Sequence, residues 1–536
     1  MKPAILLATF VVVAHLPAVF IAGFAYDDGP AILEHPDLRS FANVPRLFRT
    51  EYWGADRANQ MYRPLQQVSY LVDGAIFGFA PRATHAVQLA WHVAAVLAGY
   101  ALLRRVGLSL GPAFAASAAF AVHPAMTDAS VWISGRCDVQ SLLFSAASLA
   151  VLSRPGVISS RSSAFAAGLF LCGAFSKEVA LAVPGAAWFL FGRRALQAWP
   201  WFLAALVVYG IFRGGAVPGF LPGIPNETGV VLQDRGFFER AGIGARAQLL
   251  LVGRLFAPWL TVADHRAHQA ALPDTPVGLD GVASCAVFVA VAVAGAFCRG
   301  AGRVGLCLRL SAAAACFFVP VLQWWPIGAI MPERFLYVPG FFLLAAFAHA
   351  VEPAAIRRPR TAVFLAATVI VGLASGLAIR SEVYRNDGTY FRDVLSTYPE
   401  DERAWNNLGV FLMLDAEPPD FDGADAAFAR ALAIRPTYRR GRLNAARSIL
   451  ERVRVTHDAS GLDGVDDLLR PGVERGDRDA LALVGRAELE RAERETDPEL
   501  LIVRLERAES AFRAAGLERE ASQATRRLAA ETRRSR

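Results

Sequence analysis

The sequence predicts an all-α fold, a polytopic membrane bundle of about eleven spans followed by a second, polar helical domain. Three observations carry this. Of the 536 residues, 54% are apolar, and the mean hydropathy is +0.34, too greasy for one soluble domain of this length. Apolar runs recur from Met1 to about Arg380 and then stop, and Ser381 to Arg536 is rich in Arg, Glu, Asp and Ala with helical periodicity. Arginines also cluster in every second short loop, as the positive-inside rule demands of a chain that crosses a bilayer repeatedly.

Taken in order, the spans fall at approximately 3–24, 84–103, 106–122, 139–153, 162–176, 179–192, 199–214, 281–298, 304–325, 334–351 and 361–380. The first has an apolar stretch too long for the core of a signal peptide and is read as retained, although Gly23-Phe24-Ala25 would pass as a weak cleavage site. Residues 246–260, with Arg254 and Pro258 inside, read as an interfacial or re-entrant element rather than a twelfth span. The one-sided loops carry Arg104-Arg105, Arg154 with Arg161, Arg193-Arg194, Arg299 with Arg303, and Arg357-Arg358 with Arg360. That side is expected to be cytoplasmic, Lys2 agrees, and an odd number of spans then leaves the C-terminal domain outside, in a periplasm or an organelle lumen. Heavy use of Ala, Arg and Gly with little Lys resembles a GC-rich bacterial genome and favours a bacterial cytoplasmic membrane over an endoplasmic reticulum.

The net charge of +7 is small for this length and is largely accounted for by the inner-loop arginines, so nothing calls for nucleic acid. Cys172, Cys285, Cys298, Cys307 and Cys316 lie in or beside apolar spans, and no Cys, His or Asp spacing specifies a metal or a redox pair. Asn226-Glu227-Thr228 is a glycosylation sequon that chance alone supplies in a chain this long.

The polar clusters all fall on the outer side of this topology. They are Asp27-Asp28 with Glu34 and His35, then His123-Pro124 with Thr127-Asp128, then Arg136-Cys137-Asp138, then Lys177-Glu178, and finally Glu333-Arg334. Each has an ordinary reading as an interface anchor or a neutralised pair, but charge near a bilayer is costly, and one-sided convergence points to a single cavity. The chemistry that needs such a cavity is transfer of a sugar from a lipid phosphate. Arg or Lys would neutralise the phosphate leaving group, and a carboxylate would take the proton of the attacking hydroxyl. The long loop 25–83, with interfacial stretches at 41–49 and 76–80 and the rigid turn Tyr62-Arg63-Pro64-Leu65, fits an enzyme working at the outer leaflet.

The chain resembles the TMTC-type transmembrane-and-tetratricopeptide glycosyltransferases, which are related to protein O-mannosyltransferases. The resemblance rests on an ordered series: Tyr26-Asp27-Asp28, Ile32-Leu33-Glu34-His35-Pro36, Tyr62-Arg63-Pro64-Leu65, His85 with His92, His123-Pro124 to Asp128, Gly135-Arg136 with Asp138, Ser176-Lys177-Glu178, Glu333-Arg334 to Pro339, and Tyr384-Arg385-Asn386-Asp387. It implies a GT-C fold, a polyprenyl- or dolichyl-phosphate sugar as donor, and an acidic pair of the first outer loop at the catalytic centre. Carried over, Asp27 or Asp28 would be the base; the resemblance does not separate them, and Asp28 is slightly favoured as lying further from the helix end. Arg63, Arg136, Lys177 and Arg334 would hold the donor phosphate, with Asp138 and Glu178 positioning them and His123, Asp128 and Glu333 beside the substrate. The departures are His35, where the family often has Asn, and Asp128, where it often has Glu.

Residues 401–436 read as one tetratricopeptide repeat, with Trp405, Leu408 and Gly409 at its start and Ala424, Phe428, Ala431 and Pro436 at the later positions. Pro418-Pro419 marks an extra loop between its helices. Beyond Tyr438 the signal decays, with helices expected at 443–453, 479–494, 500–515 and 518–533 and about three pairs in all, the outer ones degenerate. The domains are thus 1–380 and 381–536, the second offering a groove to an acceptor polypeptide or acting as a stability cap.

The leading expectation is an inverting glycosyltransferase that moves a sugar, most simply mannose, onto Ser or Thr hydroxyls of an exported protein. Competing readings keep the donor but make the acceptor a lipid or surface glycan, or make the chain a non-catalytic scaffold. A transporter fits worst, since the charges gather on one face instead of at the bilayer midplane.

Overall fold

The computed structural model describes all residues except 1, 22, 54–60, 155, 218–231, 233–234, 262–278, 299–301, 325–326, 328, 460 and 535–536. The sequon at Asn226 and the loop residue Arg299 lie outside the described residues. Two units result, Met1–Tyr390 and Phe391–Arg536.

The first unit is built from α1 (Lys2–Ile21), α2 (Val44–Leu47), α3 (Pro64–Phe77), α4 (Pro81–Arg105), α5 (Leu110–Ala121), α6 (Thr127–Ser130), α7 (Arg136–Leu152) and α8 (Ser160–Ser176). It continues through α9 (Val183–Phe191), α10 (Trp199–Ala216), α11 (Phe237–Arg254), α12 (Leu279–Phe297), α13 (Gly302–Phe318), α14 (Tyr337–Arg357) and α15 (Pro359–Ser381). Helix α16 (Asp387–Thr397) contains the boundary. No strand occurs among the described residues.

Each anticipated span coincides with a helix, and among the described residues seven helical stretches are long and apolar enough to cross a membrane. Four anticipated spans, those at α5, α7, α8 and α9, are shorter than the 18 residues such a stretch needs. The longest of the seven, Glu178–Ala216, has 39 residues, far more than a bilayer core needs at 1.5 Å per residue. It is two antiparallel segments. Gly192, at φ +67°, breaks the helix, and Arg213 near the end of α10 comes back to within 3.6 Å of Glu178 at the start.

Two kinds of surface explain why the bundle forms. Small and aromatic side chains of α4, α5, α7, α13 and α14, among them Ala95, Phe120, Ala146, Phe317 and Phe341, are buried against one another. Leu203 and Ile211 of α10, Val289 of α12, and Val363, Phe364 and Val371 of α15 are exposed, as an apolar perimeter facing lipid should be. Helix α11 is different. Arg240, Arg246, Gln248 and Arg254 punctuate it, and it is not among the seven.

The ends of the bundle also differ. At one end Arg105 donates to the Ala150 carbonyl, Arg194 to that of Leu152, and Arg303 to Glu352. At the other end the acidic turn after α1 meets the segment before α7 and the one after α15.

The second unit consists of α17 (Glu402–Leu414), α18 (Phe421–Ile434), α19 (Arg439–Thr456), α20 (Gly464–Val473), α21 (Arg478–Ala492), α22 (Pro498–Ala515) and α23 (Glu518–Arg534). Helices α17 and α18 are a helix pair within 401–436, where the repeat is expected. Asp401 caps α17 by accepting from the amides of Arg403 and Ala404, and a Cβ at Gly409 would stand 2.7 Å from the Phe428 ring. Farther along, a Cβ at Gly485 of α21 would stand 2.7 Å from the Phe512 ring of α22. The sequence reading missed this second glycine-under-aromatic pair because the glycine–phenylalanine separation differs from that in the first repeat.

Candidate active site

The acidic turn begins where α1 ends. Asp28 is fully buried: one carboxylate oxygen accepts from the Ser134 amide at 2.8 Å and from its hydroxyl at 2.5 Å, and the other from the Ala25 amide at 3.1 Å. Burial pushes this carboxyl up to about 7, and those donors keep it from rising further. Asp27 is only half-buried; its carbonyl accepts from the Ala31 amide, and the π-turn Gly29–Leu33 that follows is closed by the Glu34 amide donating to the Gly29 carbonyl. Of the adjacent pair, one acid therefore fastens the turn to the Ile133–Gly135 segment and the other has access to solvent.

Around this turn stand the cations. Arg63, at the N-cap of α3, lies 3.9 Å from Glu178, which Arg213 approaches from α10. Lys177 reaches both oxygens of Asp138 at 2.5 and 2.6 Å and lies 5.2 Å from the centre of the Phe335 ring. It is one of two lysines in a chain that otherwise takes its positive charge from arginine. Arg334 pairs with Asp128 at 3.5 Å, its amide also donates to that carboxylate at 3.1 Å, and its guanidinium covers Trp132 at 5.2 Å. The charges of Arg63, Asp138, Lys177 and Arg334 all bear on the Cys137 thiol, and those of Arg63, Asp27 and Asp28 on the Tyr52 hydroxyl, which gathers these residues at the same end of the bundle.

Three sequence-nominated residues are seated otherwise. Arg136 is wholly buried, 2.7 Å from Asp73, donating to Gln88 and Ser69 and lying over Tyr70. Its guanidinium is thus engaged by partners inside the bundle. Glu333, also wholly buried, is bound to Arg254 of α11. His123 caps the turn Pro124–Met126, its Nδ1 accepting from the Ala125 amide at 3.1 Å and its Nε2 donating to the Leu255 carbonyl at 3.2 Å. Neither ring nitrogen is left for a substrate.

Burial holds the His123 imidazole neutral, down to about 4 from the usual 6.5. A depressed folded value makes the stability it supports present above about 6.5 and lost as the pH falls toward 4. Melting in detergent across that window is expected to show an acid-side decline that His123→Gln flattens. An unchanged slope in the variant refutes the cap's part in it.

The sequence reading did not single out Asp73, Trp132, Ser134, Arg213 or Tyr390. Only Arg213 carried a usable signal, as a basic residue at the outer end of a span. Motif glycines do have a packing reason: a Cβ on Gly135 would lie 2.3 Å from the Asp128 carbonyl oxygen, a backbone atom that cannot move aside. Among the described residues no three His, Cys, Asp or Glu side chains gather so as to hold a metal ion.

Tmtc1 of Drosophila melanogaster, a protein O-mannosyl-transferase, is 33% identical over 124 residues, 22% of this chain and 14% of its own length. TMTC2 of Homo sapiens is 35% identical over 128 residues, 23% of this chain and 15% of its own. The chain is a relative of the TMTC proteins. TMTC3 of Mus musculus agrees, at 28% identity over 147 residues, 27% of this chain and 16% of its own. The match spans about one seventh of the length of these TMTC relatives. No family model and no solved structure matches the chain.

Proposed function

We propose that the chain is a membrane glycosyltransferase of the GT-C type that moves a sugar, most simply mannose, from a polyprenyl- or dolichyl-phosphate donor to Ser or Thr hydroxyls of an exported protein. The observation that carries this is a half-buried acid, Asp27, at the same end of a lipid-facing bundle as Arg63, Lys177 and Arg334. The names of the relatives support the same reaction class.

In this reading the acceptor oxygen attacks the anomeric carbon as Asp27 takes its proton, the bond from that carbon to the phosphate oxygen breaks, and the departing phosphate carries away the electron pair. The cations stabilise the charge that grows on the leaving phosphate. Lys177 and Arg334 are each partly neutralised by Asp138 and Asp128, which holds them in place before the donor arrives. Asp27 replaces Asp28 as the favoured base, because a general base must reach the proton it abstracts and Asp28 is committed to the turn. The site faces away from the cytoplasm, the second unit binds an acceptor polypeptide, and the membrane is the bacterial cytoplasmic one.

Right-side-out vesicles given polyprenyl-phosphate mannose labelled in the sugar, and a membrane-impermeant Ser/Thr peptide outside, test both chemistry and sidedness. Label is expected in the external peptide. Label found only in lipid refutes the protein acceptor, and transfer only in inverted vesicles refutes the orientation.

A further inference from the structure

We propose that Asp387 is a positioning residue for the Asp27 carboxylate. This rests on the reading of Asp27 as the base. Tyr26, immediately before Asp27, has φ +55°, a left-handed conformation that a bulky side chain adopts only when its surroundings enforce it. The enforcement comes from 361 positions away: the Tyr26 amide donates to Asp387 Oδ1 at 2.5 Å.

The contact belongs to a strap made by residues 384–390. The Gly23 amide donates to the Tyr384 carbonyl at 2.9 Å, and a Cβ on Gly23 would lie 2.3 Å from the Arg385 carbonyl oxygen. Tyr390 stacks on Tyr26 at 5.4 Å and 22°, and Trp132 stacks on the same Tyr26 ring at 6.3 Å and 15° while its Nε1 donates to the Ala25 carbonyl at 3.0 Å. Asp28 fastens the next residue to Ser134. Asp27 is therefore the half-buried member of a turn clamped on both flanks. The direction of its side chain follows from the backbone of Tyr26, because a residue relaxed to negative φ would swing the following Cα–Cβ bond away.

The strap grips the acidic turn directly, through the Tyr26 and Gly23 amides, so its loss should misplace the base more than it disturbs the donor site. Asp387→Ala in the full-length protein is expected to lower kcat by roughly 10- to 100-fold, the usual penalty for misplacing a reacting group by about an ångström, with KM for polyprenyl-phosphate mannose unchanged. Asp387→Asn keeps an oxygen that accepts from the Tyr26 amide and is expected to restore kcat. Tyr26→Gly adopts positive φ without strain, so adding Asp387→Ala to it should cost no more than about twofold.

A wild-type kcat for Asp387→Ala, an Asn variant as impaired as the Ala variant, or a full additional loss on the Gly background each overturns the clamp. If Asp387→Ala fails to fold, the Asn variant and the Gly-background double variant still decide the matter. Asp27→Asn, run alongside, separates the two claims: full activity there refutes the base itself, whereas inactivity there with normal Asp387→Ala refutes only the strap.

Discussion

Asp27→Asn is expected to lose roughly 10²- to 10⁴-fold in turnover with an unchanged melting temperature and unchanged donor affinity, whereas its neighbour's variant fails in the opposite way. Asp28→Asn places an NH2 group against either the Ala25 amide or the Ser134 amide, since both carboxylate oxygens already accept from backbone donors. Leaving a buried donor unmet costs about 1–3 kcal/mol, so this variant should melt lower while retaining more activity per folded molecule. The pH dependence separates them again. The buried Asp28 carboxyl is raised from 3.8 to about 7, so its contribution is most favourable below about 3.8 and falls away as the pH rises toward 7. The Asn variant should lack that decline. Should Asp28→Asn be the catalytically dead, fully stable variant, the two roles are reversed.

The second large effect concerns Arg136. Replacing it with Leu strands the Asp73 carboxylate, whose partner it is at 2.7 Å, and removes the donors to Gln88 and Ser69. Breaking a buried pair from one side costs about 3–5 kcal/mol, while replacing both partners with apolar residues is often neutral. Arg136→Leu is therefore expected to unfold early in detergent and Arg136→Leu with Asp73→Leu to recover most of the loss. A stable Arg136→Leu protein that no longer binds the lipid donor would return this arginine to the phosphate site.

These two cases mark what the sequence can and cannot disclose. Hydropathy and the arginine bias locate helices because both depend on composition over a window, and the helices fall where the apolar runs are. Motif order likewise identifies which loops carry polar residues. Neither tells whether a cation is already neutralised. Arg63, Arg136, Lys177 and Arg334 all have carboxylate partners in the fold, and Arg136 differs in being wholly buried, because Asp73, 63 positions earlier on an amphipathic helix, folds against it. Asp27 and Asp28 could not be separated for the same reason: Ser134 decides between them, and nothing local to Tyr26-Asp27-Asp28-Gly29 encodes it. The element at 246–260 shows the converse. Arg254 reads as an obstacle to spanning, and in the fold it is the partner of Glu333.

In the second unit, Gly409 beneath Phe428 and Gly485 beneath Phe512 are the same joint made twice. A joint that recurs along a chain is a place where length can change without redesign. An added helical pair needs only to present its own small residue to its own ring and one face to each neighbour, as stacked repeats do. The unit can thus be lengthened or shortened by whole modules while every remaining interface stays as it was, so its reach evolves in discrete steps, independently of the membrane bundle.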